Sequence, residues 1–229
     1  MGGTQSRTVN VLATDGSFNK APLLRAPPRV LVTVPHAGCD YGSPVRQCDI
    51  RAKQAADFMV DALRRRGAEV SYLPNTTDLR VPGKRDYNRF NQDPDNRWTL
   101  AFNNEMQTFN PDWVLDMHSF PAREEWQSAG NRVGRRHAWN IAFLDLSRDS
   151  VERQTLAPLF NKTPGRDGGD DAVTWVPAST SNSIMVTARR DYGKKAILIE
   201  VDEDASIYPT LTLQNNMDRI AAAIVGNSK

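Results

Sequence analysis

Three histidines occur in the chain, and two of them follow apolar runs. Val30-Leu31-Val32-Thr33-Val34 leads through Pro35 to His36, and Trp113-Val114-Leu115-Asp116-Met117 leads to His118. A third run, Ala196-Ile197-Leu198-Ile199, leads to Glu200. Short β-rich apolar runs read as buried strands, which puts His36, His118 and Glu200 at strand ends. In open α/β sheets ligands bind in the crevice beyond the carboxyl ends of the strands. Residues far apart in sequence can therefore meet at one point. Catalytic zinc takes three protein ligands and keeps a fourth position for water, so two histidines and one carboxylate would suffice. An acidic residue near His36 is needed as the third ligand, and Asp40 and Asp49 are the candidates. Either histidine alone reads better as a hydrogen-bonded, partly buried imidazole; their joint placement is what points to metal. His137, between Arg136 and Ala138, reads as a surface or structural residue.

Elements of α/β type must position these groups. Residues 1–28 read as an irregular leader closed by Pro27-Pro28, and residues 29–229 as a single α/β domain. After the first strand, residues 49–66 carry Ile50, Phe58, Met59, Ala62 and Leu63 at helical spacing, and Gly67 stands where a helix end favours positive φ. A short strand over 70–73, a polar loop over 74–96, a helix over 100–109 and the strand ending at His118 follow. Residues 140–146 suggest a strand, 150–161 a helix, 164–171 a loop, 183–192 a helix, 196–199 a strand capped by Glu200, and 211–225 a last amphipathic helix. Strands alternating with helices predict an α/β three-layer sandwich with a mostly parallel, mixed central sheet.

Bulk composition narrows the function classes. The chain has 229 residues, 39% of them hydrophobic and 24% charged, enough for one sizeable core. A net charge of +2 gives no electrostatic reason to expect nucleic acid. No apolar run approaches the ~20 residues needed to span a bilayer, and no secretory start is evident. The two cysteines, Cys39 and Cys48, imply no disulfide framework and match no common zinc-binding spacing. A cytoplasmic location fits. Gly2 and Ser6 stand where N-myristoylation requires them, although any small polar tail fits so short a pattern. One such lipid gives marginal, reversible membrane association.

Five short motifs in order resemble the N-formylglutamate amidohydrolase family, relatives of the zinc carboxypeptidases. They are Val34-Pro35-His36-Ala37-Gly38, Asp49 opening a helix, Asp86-Tyr87-Asn88-Arg89, Asp116-Met117-His118-Ser119-Phe120 and Ile199-Glu200-Val201. The resemblance spans roughly residues 30–225. It implies a zinc carboxypeptidase-like (phosphorylase/hydrolase-like) fold and a zinc-dependent amidohydrolase. It further implies His36, Asp49 and His118 as metal ligands, Asn88 and Arg89 as the holders of a substrate carboxylate, and Glu200 as general base. Cys39 stands where zinc carboxypeptidases place a glutamate, which keeps Asp40 open as an alternative ligand.

The implied roles suit the chemistry. Zinc polarises an amide carbonyl and brings bound water to a pKa near ~7; a carboxylate within reach then accepts the water's proton and passes it to the leaving nitrogen. Arg89 offers a planar fork for a carboxylate, and Asn88 a directed hydrogen bond. Asp116 shares a strand side with His118 and could orient its ring. Each has a plainer reading. Glu200 could be paired beside Lys194-Lys195, Arg85, Asp86 and Arg89 could form a surface ion-pair cluster, and Asp116 could bond a loop. Arg189 and Arg190 suit either an oxyanion or a solvated helix face. The expected substrate is a small acidic N-acyl amino acid or a peptide carboxylate. A carboxypeptidase-type peptidase and a catalytically silent binding protein are the alternatives.

Overall fold

A computed structural model describes residues 11–12, 18–19, 26–37, 49, 51–75, 97–120, 126–128, 131–133, 140–160, 173–177, 184–203, 205 and 208–226. Gly2, Cys39, Asp40, Cys48, Arg85, Asp86, Asn88, Arg89, His137 and the 164–171 loop lie outside the described residues.

In chain order the elements are β1 (Val11–Leu12), β2 (Phe18–Asn19), β3 (Arg29–Val34), α1 (Ala52–Arg65), β4 (Glu69–Pro74), α2 (Arg97–Thr108) and β5 (Trp113–Phe120). They continue with β6 (Trp126–Ser128), β7 (Asn131–Val133), β8 (Ile141–Asp145), α3 (Val151–Leu156), β9 (Val173–Pro177), α4 (Ile184–Arg190), β10 (Lys195–Asp202) and α5 (Thr210–Gly226). Six strands make the main sheet in the order β4-β3-β5-β10-β8-β9. Four of them, β4, β3, β5 and β10, run parallel. β8 reverses against β10, and β9 runs parallel to β8. This is the mixed, mostly parallel sheet expected of the sequence. β1 with β2 and β6 with β7 form separate antiparallel ladders.

Side chains alternate across a strand with a period of two, and both faces of the sheet are covered. Val30, Val32 and Val34 of β3, Trp113, Leu115 and Met117 of β5, and Ile197, Ile199 and Val201 of β10 pack under α1, α3 and α5. Leu31, Val114, Ala196 and Leu198 point the other way, into a second core with α2 and α4. Asp116, His118 and Glu200 keep the parity of Val114 and Leu198. All three therefore stand on the α2/α4 side of the sheet, and the register sets His118 directly against Glu200.

Several boundaries differ from the sequence reading, each for a local reason. α1 begins at Ala52 rather than at Asp49, with Asp49 in the turn before it. β5 and β10 run on past His118 and Glu200 to Phe120 and Asp202, because the ladder between them continues to the Phe120 and Asp202 pair. Both groups thus lie inside strands, not at their ends. α3 stops at Leu156 and passes into a short 3₁₀ turn over Ala157–Leu159, where Pro158 brings no N–H to continue the helix. β9 was not foreseen; its Val173-Thr174-Trp175-Val176 run is β-favouring, and its closing Pro177 is tolerated because β9 is an edge strand.

Gly67 ends the turn after α1 with φ +85°, and a Cβ there would meet nothing within 4 Å. Only backbone strain then opposes a side chain. Gly67→Ala is expected to lower stability by about 1 kcal/mol, read as a lower urea midpoint with an unchanged slope.

Candidate metal centre

His36 sits in the turn after β3. Asn75, buried at the end of β4, holds that turn: its backbone N–H donates to the Val34 carbonyl at 2.8 Å and its side-chain amide to the Pro35 carbonyl at 2.9 Å. Asp49 lies in the turn entering α1, its carbonyl accepting from the Ala52 N–H at 3.1 Å. His118 projects from β5 and is 3% exposed.

These three elements converge. Asp49 Oδ2 lies 3.0 Å from His36 Nδ1 and 2.8 Å from His118 Nδ1. The two imidazoles meet edge to face, with centroids 5.1 Å apart and planes at 81°. One ligand atom from each of the three residues falls within 4.8 Å of the others. Among the described residues this is the one such group of three or more.

Behind His118 stands a fully buried carboxylate. Asp116 Oδ1 lies 3.3 Å from His118 Nε2 and accepts from the Thr33 hydroxyl at 3.0 Å. Asp116 Oδ2 has no hydrogen-bond partner among the described residues. Nε2 and Oδ1 stand at ion-pair distance without hydrogen-bond geometry, so the carboxylate acts on the ring through its charge. Thr33 was missed in the sequence, although it is the one polar residue in an apolar run.

Charge is concentrated in the cluster. Burial alone would raise the Asp49 pKa, but His36 and His118 outweigh it and hold the carboxyl well below the usual range. For His118 burial works downward, and Asp116 and Asp49 override it, so the imidazole keeps its proton well above the ordinary value. Glu200, 9% exposed, is pushed from 4.5 to about 8, chiefly by burial; His118 opposes that rise and Asp49 adds to it.

The donor set fits a divalent metal of the zinc type. Two imidazole nitrogens and one carboxylate oxygen are the ligand complement of an open, hydrolytic zinc site. The protons that hold the cluster together without metal would be released as a cation took their place. His36, Asp49 and His118 would hold the ion, and Glu200 adjoins it from the next strand. The other groups singled out in the sequence lie elsewhere. Arg189 approaches Glu152 at 3.6 Å, and Glu152 bonds the Ala196 N–H at the opposite end of β10. Arg190 pairs with Asp191 on the surface. Lys195 lies over the Trp113 ring at 5.4 Å, and Lys194 bonds Asn110; neither of these contacts is with Glu200.

No family model matches the chain, and no curated protein does. Solved structures do. A metallo-carboxypeptidase from Burkholderia cenocepacia aligns with TM-score 0.54 and 13% identity over 96% of this chain and 59% of that one. A metallo-carboxypeptidase from Pseudomonas aeruginosa aligns with TM-score 0.54 and 10% identity over 97% and 64%. An aspartoacylase family protein from Mesorhizobium loti aligns with TM-score 0.50 and 16% identity over 87% and 58%. The chain thus spans less than two thirds of the length of each. The fold is carboxypeptidase-like, and a likeness at these identities speaks to fold alone. No described helix is long and apolar enough to cross a membrane.

Removing the charge behind His118 is expected to loosen the metal. Asp116→Asn should weaken zinc binding by about 10–100-fold, measured by competition with a chromogenic chelator; unchanged affinity would separate Asp116 from the site. A second expectation concerns acid–base linkage. Glu200 binds its proton more tightly folded than unfolded, so between about 4.5 and about 8 the folded chain holds a proton that the unfolded chain has released. Its contribution to stability is therefore full at low pH and lost as pH rises through that window. Urea midpoints in a chelator should fall over this range more steeply for the native chain than for Glu200→Gln.

Proposed function

We propose that the chain is a zinc-dependent amidohydrolase that cleaves the amide bond of an N-acyl amino acid resembling N-formylglutamate. The observation that carries this reading is the convergence of two imidazole nitrogens and one carboxylate oxygen within 4.8 Å, beside a buried glutamate on the adjoining strand. The likeness in fold to metallo-carboxypeptidases and to an aspartoacylase family protein supports it.

Zinc bound by His36, Asp49 and His118 would supply Lewis-acid polarisation of the amide carbonyl and an acidified water. The protein supplies the rest. Glu200 is buried against His118, and a cation held there would favour its ionised form, the form a general base needs. Its carboxylate takes the proton of the attacking water, and the resulting acid returns that proton to the departing nitrogen. Asp116, held by Thr33, sets a negative charge behind the ring of His118, and Asn75 fixes the turn of His36. Asn88 and Arg89 receive the substrate carboxylate, the guanidinium through paired hydrogen bonds. Myristoylation at Gly2 would add a weak membrane attachment to an otherwise cytoplasmic protein. A peptidase of carboxypeptidase type is the second reading, favoured by the same likeness in fold, and it would use the same residues.

Elemental analysis combined with a substrate panel tests this. One zinc per chain and turnover of N-formylglutamate or N-acetyl amino acids in preference to short peptides are expected. Glu200→Gln should lower kcat by at least about 100-fold with metal content intact. A chain unable to take up zinc, or an unaltered rate in Glu200→Gln, removes the proposal.

A further inference from the structure

The start of α1 breaks a local rule. Helices favour Ser, Thr, Asp or Asn at the N-cap and acidic residues in the first turn. α1 instead begins after Arg51, which makes no side-chain cap hydrogen bond, and its first turn has no acidic residue. Arg51 is also only 2% exposed, although burying a guanidinium is costly unless its donors are used. Violations of local preference are expected where a function compensates them.

The donors of Arg51 lead to the site. Its backbone N–H donates to Ser119 Oγ at 3.2 Å, and that hydroxyl in turn donates to Glu203 Oε1 at 2.7 Å. Its Nη1 donates to the Asp202 carbonyl at 3.0 Å, and its Nε to Gln54 Oε1 at 3.3 Å. The guanidinium lies over the buried Tyr208 ring at 5.5 Å. Ser119 follows His118 directly, Asp202 stands two residues after Glu200, and Asp49 stands two residues before Arg51. One residue thus ties together the carriers of Asp49, His118 and Glu200.

We propose that Arg51, through its bonds to Ser119 and the Asp202 carbonyl, is a positioning residue that holds the Asp49 carboxylate between His36 and His118. The inference rests on the metal reading of that cluster. A ligand carried by the turn that enters a helix is only as fixed as that turn and the helix end it joins, and helix ends fray unless their N–H groups are satisfied. Ser119 satisfies one such N–H from a neighbouring strand, and Nη1 pins the same residue to the end of β10. Asp49 is thereby fixed to the sheet that carries His118, which is the preorganisation a metal site needs.

The test uses the full chain stripped of metal and titrated with zinc against a chelator, and with cobalt(II) as a spectroscopic probe of ligand geometry. Ser119→Ala and Arg51→Met are each expected to weaken zinc binding by about 10–100-fold and to alter the visible cobalt bands. Ser119→Thr, which keeps the hydroxyl, should restore both. Lower thermal stability with native affinity and native bands would make the role merely structural and overturn the inference. Should Arg51→Met not fold, the contrast between Ser119→Ala and Ser119→Thr decides alone. An unmodified chain that takes up neither metal sinks the site reading itself, and this inference with it.

Discussion

A single carboxylate oxygen shared by two imidazole nitrogens is the point on which the rest of this molecule turns. Asp49 Oδ2 touches His36 and His118 at 3.0 and 2.8 Å, and all three side chains are largely buried. Three ionisable groups so close and so buried need either shared protons or a cation to balance them. The direction of each shift follows from that demand: Asp49 is driven toward its charged form, His118 holds a proton, and Glu200 resists ionising. An apolar set of residues of the same size would pack more cheaply there. The cluster is therefore better explained by chemistry than by stability.

The sheet makes such a cluster attainable. β3 and β5 are neighbours, as are β5 and β10, so groups widely separated in the chain are brought within a strand or two of each other. Parity does the remainder. Because odd residues of β5 and β10 face α1 and α5, the even residues Asp116, His118 and Glu200 share the opposite side. Thr33 of β3 stands across from Asp116 in the register and donates its hydroxyl to it.

Much of this architecture was visible in the sequence because buried parallel strands are apolar on both faces. Val30–Val34, Trp113–Met117 and Ala196–Ile199 stand out as continuous runs, and the helices between them show their spacing. The reversal of β8 was not visible, since Ile141–Asp145 reads the same in either direction. β6 and β7, of three residues each, are too short for a periodic signal. At the site, His36 and His118 were conspicuous because histidines are scarce in this chain and follow apolar runs. Asp40 and Asp49 were indistinguishable by residue type; only the family resemblance favoured Asp49, which lies against both histidines, while Asp40 is outside the described residues. Arg51 was illegible. An arginine at a helix start reads as a solvated charge, and nothing local reveals that its donors reach Ser119 and Asp202.

β10 is fastened at both tips. Near its start the Ala196 N–H is taken by the carboxylate of Glu152, and at its finish the Asp202 carbonyl is taken by Arg51 while the Asp202 N–H reaches the Asn140 carbonyl. Side chains on a strand swap faces with every step. A shift of one position along β5 would turn Glu200 into the greasy layer under α5 and bring Val201 or Ile199 opposite His118. Such a slide would cost the protein its acid, and the fastenings at the two tips add to the burial pattern that opposes it.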